Sequence, residues 1–585
     1  MENKKFQSSF NPTKTSQNLF KNGRIAASNE TPADVITRVT NAIVEVENSF
    51  NTSQEEKEVF AKQIGSLLDD GKIVLSTPIL TNAGRYKNKP LSACALAPIN
   101  SKTTRNETIQ IISNYHIDGM GTGFPLDEFD NPAQRLKELN AIAVENANTG
   151  LEDRPVGNMA TCSIEHPAIK DFIIAKMNAE NEDWKFNISL NVSSKFMENV
   201  KKREEYMQES GHIVDPFNVL EQTAKAAHLC SDPGLIFIDR VRESNPEKSN
   251  GEYLTVAPCG EVGLVFGETC HFGYLNLGKF TLNDENEPTI DFEGLKEATF
   301  ALTRILDNAL EISLSNYTNP ATLKTTSQRR KIGVGVCGFA DLLFKLGVPY
   351  DSSTASEIAM DIMSLINYSS KLASHKLAIS RGSFLAYDDP TCKYNDESFI
   401  NSRFARTTHT VTKEQWQELS KTIKHTRKLR NLNTTALPPT GRSALLYDAS
   451  TSIEPVFSLY SSSIIHPELN NQLIKNKLND SHTIEHIKKT GSIRDLNSIP
   501  LRLKAVFKTA LEIPISSHIE ICSAFQSFTD EAISKTVNLP ASASAEQVLS
   551  VFIQAYDAGL KGITVYRAES RKKQPVRLAA LASKI

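Results

Sequence analysis

Apolar residues recur at helical spacing early in the chain. Val35, Val39, Ile43 and Val46 fall on one face, behind Thr31-Pro32, a capping hydroxyl followed by a proline suited to the first helical position. Residues 55–68 predict a second amphipathic helix. Residues 72–81 break that pattern at Ser76-Thr77-Pro78, and Asn82-Ala83-Gly84 reads as a turn. From Pro90 onward the pattern alternates. Short apolar runs at 92–97, 186–192, 234–238, 274–280, 332–337 and 444–447 predict buried strands, separated by helical stretches. Leu295, Thr299, Leu302, Ile305, Leu306 and Leu310 mark the clearest helix, and 353–380 carries another long one. This alternation predicts an α/β architecture with buried strands. Residues 1–30, rich in Ser, Asn, Lys and Thr, predict a loose polar arm, and 31–88 a small helical region.

Length and composition narrow the class. A chain of 585 residues exceeds one small core and suits about two to four domains or one large barrel with attachments. With 40% hydrophobic and 23% charged residues it packs rather than stays disordered. The formal net charge of -3 leaves no basic footprint, so nucleic acid is not expected as a partner, while a local phosphate site stays open. No apolar run reaches the length that spans a bilayer, and no apolar stretch follows the charges of Met1 to Ser9, so neither membrane nor secretory leader is expected. Eight scattered cysteines without a CxxC argue against a disulfide scaffold or zinc knuckle. They suit a reducing cytoplasm, where a cysteine pair is catalytic or metal-binding.

The candidate chemistry centres on Ala257-Pro258-Cys259-Gly260-Glu261, which follows the β-rich run Tyr253-Leu254-Thr255-Val256. Pro258 fixes one backbone angle and Gly260 frees another, so the loop can present Cys259 two residues from a carboxylate. A free thiol is often only a small buried hydrophobe, and its surroundings decide its reactivity. Pro439-Thr440-Gly441-Arg442-Ser443 offers hydroxyls and free amides at a turn, a cradle for an anion to which Arg442 can add a charged fork. His482-Thr483-Ile484-Glu485-His486 matches the H-x-x-E-H spacing, but its Lys- and Asp-rich neighbourhood predicts a solvated helix face.

Several stretches carry a family resemblance. They are residues 76–84, Leu91-Ser92-Ala93-Cys94, Gly121-Thr122-Gly123-Phe124, residues 232–240, Pro258-Cys259-Gly260-Glu261, residues 332–338, Pro439-Thr440-Gly441, residues 453–457, 534–540 and 561–567. In this order they make the chain resemble the large, catalytic subunit of ribonucleotide reductases. The resemblance implies a ten-stranded α/β barrel with a central finger loop, over residues 89–545 and completed by 546–585. Cys259 would be the thiyl-radical cysteine that removes the substrate's 3′-hydrogen. Glu261 would be the general base on the 3′-hydroxyl, and Cys94 and Cys270 the dithiol that closes to a disulfide. Ser76, Thr77, Ala93, Pro439, Thr440, Gly441, Arg442 and Ser443 would hold a ribonucleoside di- or triphosphate.

Where relatives that depend on a metal-bearing partner subunit carry two adjacent tyrosines, this chain has Tyr566 alone. It also lacks the C-terminal glycine and four-cysteine site of the glycyl-radical type. It is most similar to the adenosylcobalamin-dependent class, in which homolysis of the cobalt–carbon bond supplies the radical, so no protein metal ligands are expected. Three departures stand out. Ala257 occupies a position usually held by asparagine. No cysteine follows Cys522, so re-reduction is expected from an external thiol such as a thioredoxin-like protein. The segment 124–154 is short, leaving Arg154 and Gly157 as the effector-loop residues, with no ATP-cone expected in the first 30 residues and altered effector control. These departures leave open a cobalamin-dependent radical enzyme without net reduction, and an inactive nucleotide-binding regulator. A monomer and a homodimer both fit.

Overall fold

The computed structural model describes residues 6–151, 156–177, 183–208, 211–284, 287–461 and 463–570. Two sets of strands build the centre. Strands β1 (Cys94–Leu96), β2 (Gly121–Pro125), β3 (Asn158–Ser163), β4 (Phe186–Val192) and β5 (Gly234–Phe237) lie side by side and parallel. In the second set β6 (Thr269–Asn276) pairs in parallel with β7 (Ile332–Cys337). The extended segment 433–437 bridges β7 through Val334 and Thr435, and meets Ile533 through Leu437. Ile533 leads into β8 (Thr536–Leu539), which pairs in parallel with β9 (Gly562–Arg567). The sets join antiparallel at β5 with β9 and at β6 with β1. The ring therefore closes as a barrel of two parallel halves, with no free edge along this path.

The helices start where their caps require. Helix α1 spans Lys14–Asn22 behind Thr13. Thr31 and Asp34 form a reciprocal capping box for α2 (Pro32–Glu45), as Ser53 and Glu56 do for α3 (Gln54–Asp69). Helices α4 (Phe292–Leu314) and α5 (Ser353–Arg381) are the two long ones read from periodicity. One continuous apolar core runs from Phe20 through α2, α3 and the barrel to Val565, so the N-terminal helical region shares the barrel's core. Residues 459–507 gather a smaller cluster of their own around Leu459, Leu469, Ile487 and Phe507. No described helix is long and apolar enough to cross a membrane.

Three expectations change. The arm expected to be loose over 1–30 contains α1, tied down by Ser16, whose hydroxyl donates to the Leu446 carbonyl at 2.5 Å, and by Phe10 against the Tyr447 ring at 5.0 Å. Composition weighs polarity and misses such a few-point attachment. The strand expected at 444–447 is instead the helix Gly441–Leu445 and its exit turn. Thr440 and Gly441, at φ +55° and +44°, bend the chain there, and a short apolar run does not by itself distinguish strand from buried helix. The strand expected from 274 begins five residues earlier, because His271 is buried and hydrogen-bonds Ser313 at 2.8 Å.

A hairpin enters the barrel: Thr255–Val256 pairs antiparallel with Gly263–Leu264, and Cys259 lies at its tip. The Gly260 amide donates to the Ala257 carbonyl at 2.8 Å with Gly260 at φ +85°, and the Ala257 amide donates to Val262 at 2.8 Å. Proline at the second turn position and a left-handed glycine at the fourth suit such a four-residue loop, 258–261, built around a tight turn. The hairpin's base is gripped by buried charges. Glu531 accepts from the Gly263 amide at 3.0 Å, from Tyr253 Oη at 3.0 Å and from Asn433 at 2.6 Å, and lies 3.2 Å from Lys331. Lys331 donates to the Gly263 carbonyl at 2.6 Å and to Tyr253 Oη at 2.9 Å, and pairs with Glu268 at 3.1 Å. Arg329 joins Glu268 to Glu247, each at 2.7 Å. Burial alone would push the Glu268 carboxyl up, but Arg329 and Lys331 outweigh it and hold it below the usual range.

Removing one partner from such a network leaves a buried charge uncompensated. Glu531→Ala is expected to lower the unfolding free energy by about 3–5 kcal/mol in urea titrations. Glu397→Ala, which breaks an exposed pair with Lys424, should change it by less than about 1 kcal/mol.

Candidate active site

Cys259 projects from the hairpin tip into a cavity of about 760 Å³. The thiol is exposed, but to this cavity: burial by the surrounding barrel, with Glu261 nearby, raises its pKa far above the ordinary thiol range. The cavity is walled by Asn187 and Ser189 of β4, Leu235 and Ile236 of β5, Thr536 and Leu539 of β8, and Thr564 and Tyr566 of β9. Pro258, Gly260 and Pro439 border it on the Cys259 side. Lys535 and Glu454 also line it and form an ion pair, while Lys535 donates to His518 Nδ1 at 3.2 Å. Burial and the Lys535 charge lower the His518 pKa to about 3, so its ring is neutral and can accept.

Glu261 faces away from that cavity. It is 1% exposed, and its Oε2 has no hydrogen-bond partner. Burial raises its pKa to about 7 against the pull of the backbone amides of Glu261 and Cys259. A carboxyl poised near neutrality in a dry site suits proton transfer. The hairpin beyond it is held to the barrel wall where the Ala532 amide donates to the Glu261 carbonyl at 2.9 Å.

At the antiparallel seam, Cys94 of β1 and Cys270 of β6 are direct register partners. Opposed residues in antiparallel strands have Cα atoms about 4.5–5.5 Å apart, inside the range a disulfide spans. Both are free thiols, Cys94 half-buried and Cys270 buried. Burial holds Cys270 protonated, and Lys331, Glu531, Glu268 and Glu261 all lie within electrostatic reach of it. Ala93 precedes Cys94 and its amide donates to the Cys270 carbonyl at 3.4 Å.

The two segments read as phosphate-binding, far apart in sequence, meet. Thr77 and Ser443 hydroxyls approach to 3.3 Å, and the buried Ser76 hydroxyl beside them has no partner. Thr440 Oγ1 accepts from the Ser452 amide at 2.8 Å, which fixes the turn, and Arg442 is exposed at its outer side. The effector-loop residues are not brought here as a pair. Arg154 lies outside the described residues, and Gly157 sits at the entry to β3 with its carbonyl packed against Gly121. His482 and Glu485 are exposed on the helix Ser481–Thr490, away from this centre.

Sequence reasoning missed Tyr274. It lies on the same face of β6 as Cys270, four residues on, within electrostatic reach of Glu261, Cys94, Cys337 and Cys259. The period-2 count from Cys270 was the signal that could have found it. The buried charges of Glu268, Arg329, Lys331 and Glu531 were also missed, because isolated charged letters read as surface.

The Glu261 carboxyl titrates near 7 in the folded chain against an ordinary 4.5. The folded state therefore holds a proton that the unfolded chain releases, a stabilisation complete below about 4.5 and lost as pH rises through about 7. Glu261→Gln cannot undergo that loss. Its stability relative to the parent should rise by about 3 kcal/mol between acid and pH 8 in urea titrations; a pH-independent difference would contradict the buried carboxyl.

Comparison with known proteins places the chain. The ribonucleotide reductase barrel-domain model matches residues 128–566. The vitamin B12-dependent ribonucleoside-diphosphate reductase of Mycobacterium tuberculosis is 28% identical over 578 residues, covering 94% of this chain and 76% of the relative. The protein of the same description from Thermoplasma acidophilum is 31% identical over 555 residues, covering 88% and 65%. Among solved structures, the Actinobacillus ureae class Id ribonucleotide reductase alpha subunit matches with a TM-score of 0.75 at 18% identity, over 96% of this chain and 98% of that one, a likeness of fold.

Proposed function

Since the chain belongs to the ribonucleotide reductase barrel-domain family, we propose that it reduces ribonucleoside di- or triphosphates to 2′-deoxyribonucleotides through a thiyl radical on Cys259, with a cobalamin as radical source. The observation that carries this reading is the setting of Cys259 between two unlike environments, a 760 Å³ cavity on one side and the Glu261 carboxyl, with its Oε2 unpartnered, on the other, with Cys270 in reach of Glu261.

The cavity fits a broad cofactor. Leu235, Ile236, Ile533, Leu539 and Val565 offer an apolar wall, and Asn187, Ser189, Asn538 and Thr564 offer amides and hydroxyls to polar arms. No atom lies within 4 Å of where a Cβ on Gly260 would stand, so the space beside the thiol stays open. No histidine is among the lining residues, which suits a macrocycle that brings its own metal ligands. The vitamin B12-dependent names of the relatives from M. tuberculosis and T. acidophilum support the cobalamin; the adenosyl form is our assignment. When bound, it would supply a carbon-centred radical by homolysis of its cobalt–carbon bond.

The chain's own residues do the rest. Cys259, as a thiyl, takes the 3′-hydrogen atom and becomes a thiol, leaving a radical at C3′. Glu261 takes the proton of the 3′-hydroxyl and gives it back to that oxygen before the product leaves. The 2′-hydroxyl leaves as water with a proton from the dithiol. Cys94 and Cys270 give up two electrons and both protons as their S–S bond forms, and Cys259 returns its hydrogen atom to C3′. The net change is one C–O bond replaced by C–H, one water released and one dithiol oxidised. An external dithiol, such as that of a thioredoxin-like protein, resets the pair by exchange. Ser76, Thr77, Ala93 and residues 439–443 hold the substrate, with its phosphates at the hydroxyls and amides where the two segments meet.

The test is purified protein with adenosylcobalamin, dithiothreitol and each ribonucleotide, analysed for deoxynucleotide. Product is expected with the parent, and at least a thousandfold less with Cys259→Ser, because an alcohol does not replace the thiyl. Cofactor turnover with a non-deoxy product, or no cofactor binding, would overturn the reading.

A further inference from the structure

Tyr274 holds an unpartnered donor in the catalytic chamber. It is 5% exposed, and burial and nearby charges, with no hydrogen bond, set the state of its hydroxyl. Its placement is built in by two strands. Tyr274 is the register partner of Gly335, and a Cβ at Gly335 would stand 3.3 Å from the Tyr274 ring and 3.2 Å from Pro438. Phe272 meets Gly333 in the same way, at 2.6 Å. The alternate glycines of β7 thus leave room for aromatic rings lying across the barrel interior. The ring of Tyr274 lies between the dithiol seam and the 436–439 approach to the phosphate turn.

A bound ribose brings two neighbouring hydroxyls into this closed space, and each needs a partner, since a buried polar group left unpaired costs about 1–3 kcal/mol. Glu261 serves one. The hairpin offers nothing for the other, because Ala257 carries no polar side-chain atom. Cys94 and Cys270 are thiols, which are weak donors. The phenol of Tyr274, within electrostatic reach of Glu261 and Cys94, is a strong donor on the same strand face as Cys270.

We propose that Tyr274 is a substrate-positioning residue whose hydroxyl donates a hydrogen bond to the ribose 2′-hydroxyl, and that it makes the site discriminate ribonucleotide from deoxyribonucleotide. The inference rests on the reductase reading above. A donor there orients the C2′–O bond toward the dithiol and favours its departure as water. It also weakens retention of product, which lacks that oxygen.

The test is equilibrium binding of cytidine 5′-diphosphate and 2′-deoxycytidine 5′-diphosphate to the full chain without cofactor, for the parent and for Tyr274→Phe. The ring is kept, and the hydroxyl bonds no described protein group, so the thermal midpoint should not move. The variant is expected to bind the ribonucleotide about tenfold more weakly, the equivalent of one hydrogen bond, and the deoxyribonucleotide as the parent does. An equal change for both nucleotides, or no change for either, overturns the role of Tyr274 and leaves the reductase reading standing. A parent chain that binds neither nucleotide, as diphosphate or as triphosphate, overturns both.

Discussion

The geometry of this molecule depends on how Lys331 and Glu531 grip the base of the Cys259 hairpin. A reactive thiol inside a barrel needs a support that neither slides nor twists, and a hairpin of two-residue strands has too few ladder bonds to supply one. The buried charges take over that task. Glu531 holds the Gly263 amide and Lys331 its carbonyl, so both backbone groups at one point of the hairpin are fixed from opposite signs. These charges also close the barrel: Glu531 and Asn433 tie the segment 433–437 to the strand that leads into β8. The hairpin and the last closure of the ring are therefore one construction. An ionic network of this kind adds less to stability than an apolar core of the same size would, but it specifies a single arrangement, which is what a positioned radical requires.

Burial then sets the protonation of everything the hairpin presents. Cys259 and Cys270 are kept as thiols and Glu261 is lifted to near neutrality, each first by loss of water. A thiol yields a hydrogen atom where a thiolate cannot, and a carboxyl balanced near 7 can both accept and return a proton. The antiparallel seam adds the pairing of Cys94 with Cys270 by register alone. The same environment thus suits hydrogen-atom transfer at Cys259, proton transfer at Glu261 and electron supply at the seam.

Much of this was legible in the residues. Strands at 186–192 and 332–337 were read to the residue, and the turn of Pro258 and Gly260 announced the tip. Family order placed the ten-stranded barrel, although the segment 433–437 that completes the ring has no strand-like pattern of its own. The short helix Gly441–Leu445 and the tethered α1 were hidden for a related reason: each depends on contacts with distant parts of the chain. Tyr274 shows the limit most plainly. Its neighbours on the strand are informative only once β6 is known to begin at Thr269, since a different register would turn the phenol out of the chamber.

The central claim is that electrons leave through the seam while the radical sits at the hairpin tip. A single turnover without external reductant, followed by thiol blocking and peptide mapping, tests it most directly. One Cys94–Cys270 disulfide is expected for each deoxynucleotide formed, and none in Cys259→Ser. Deoxynucleotide formed with both thiols still free, or a disulfide joining Cys259, would contradict it.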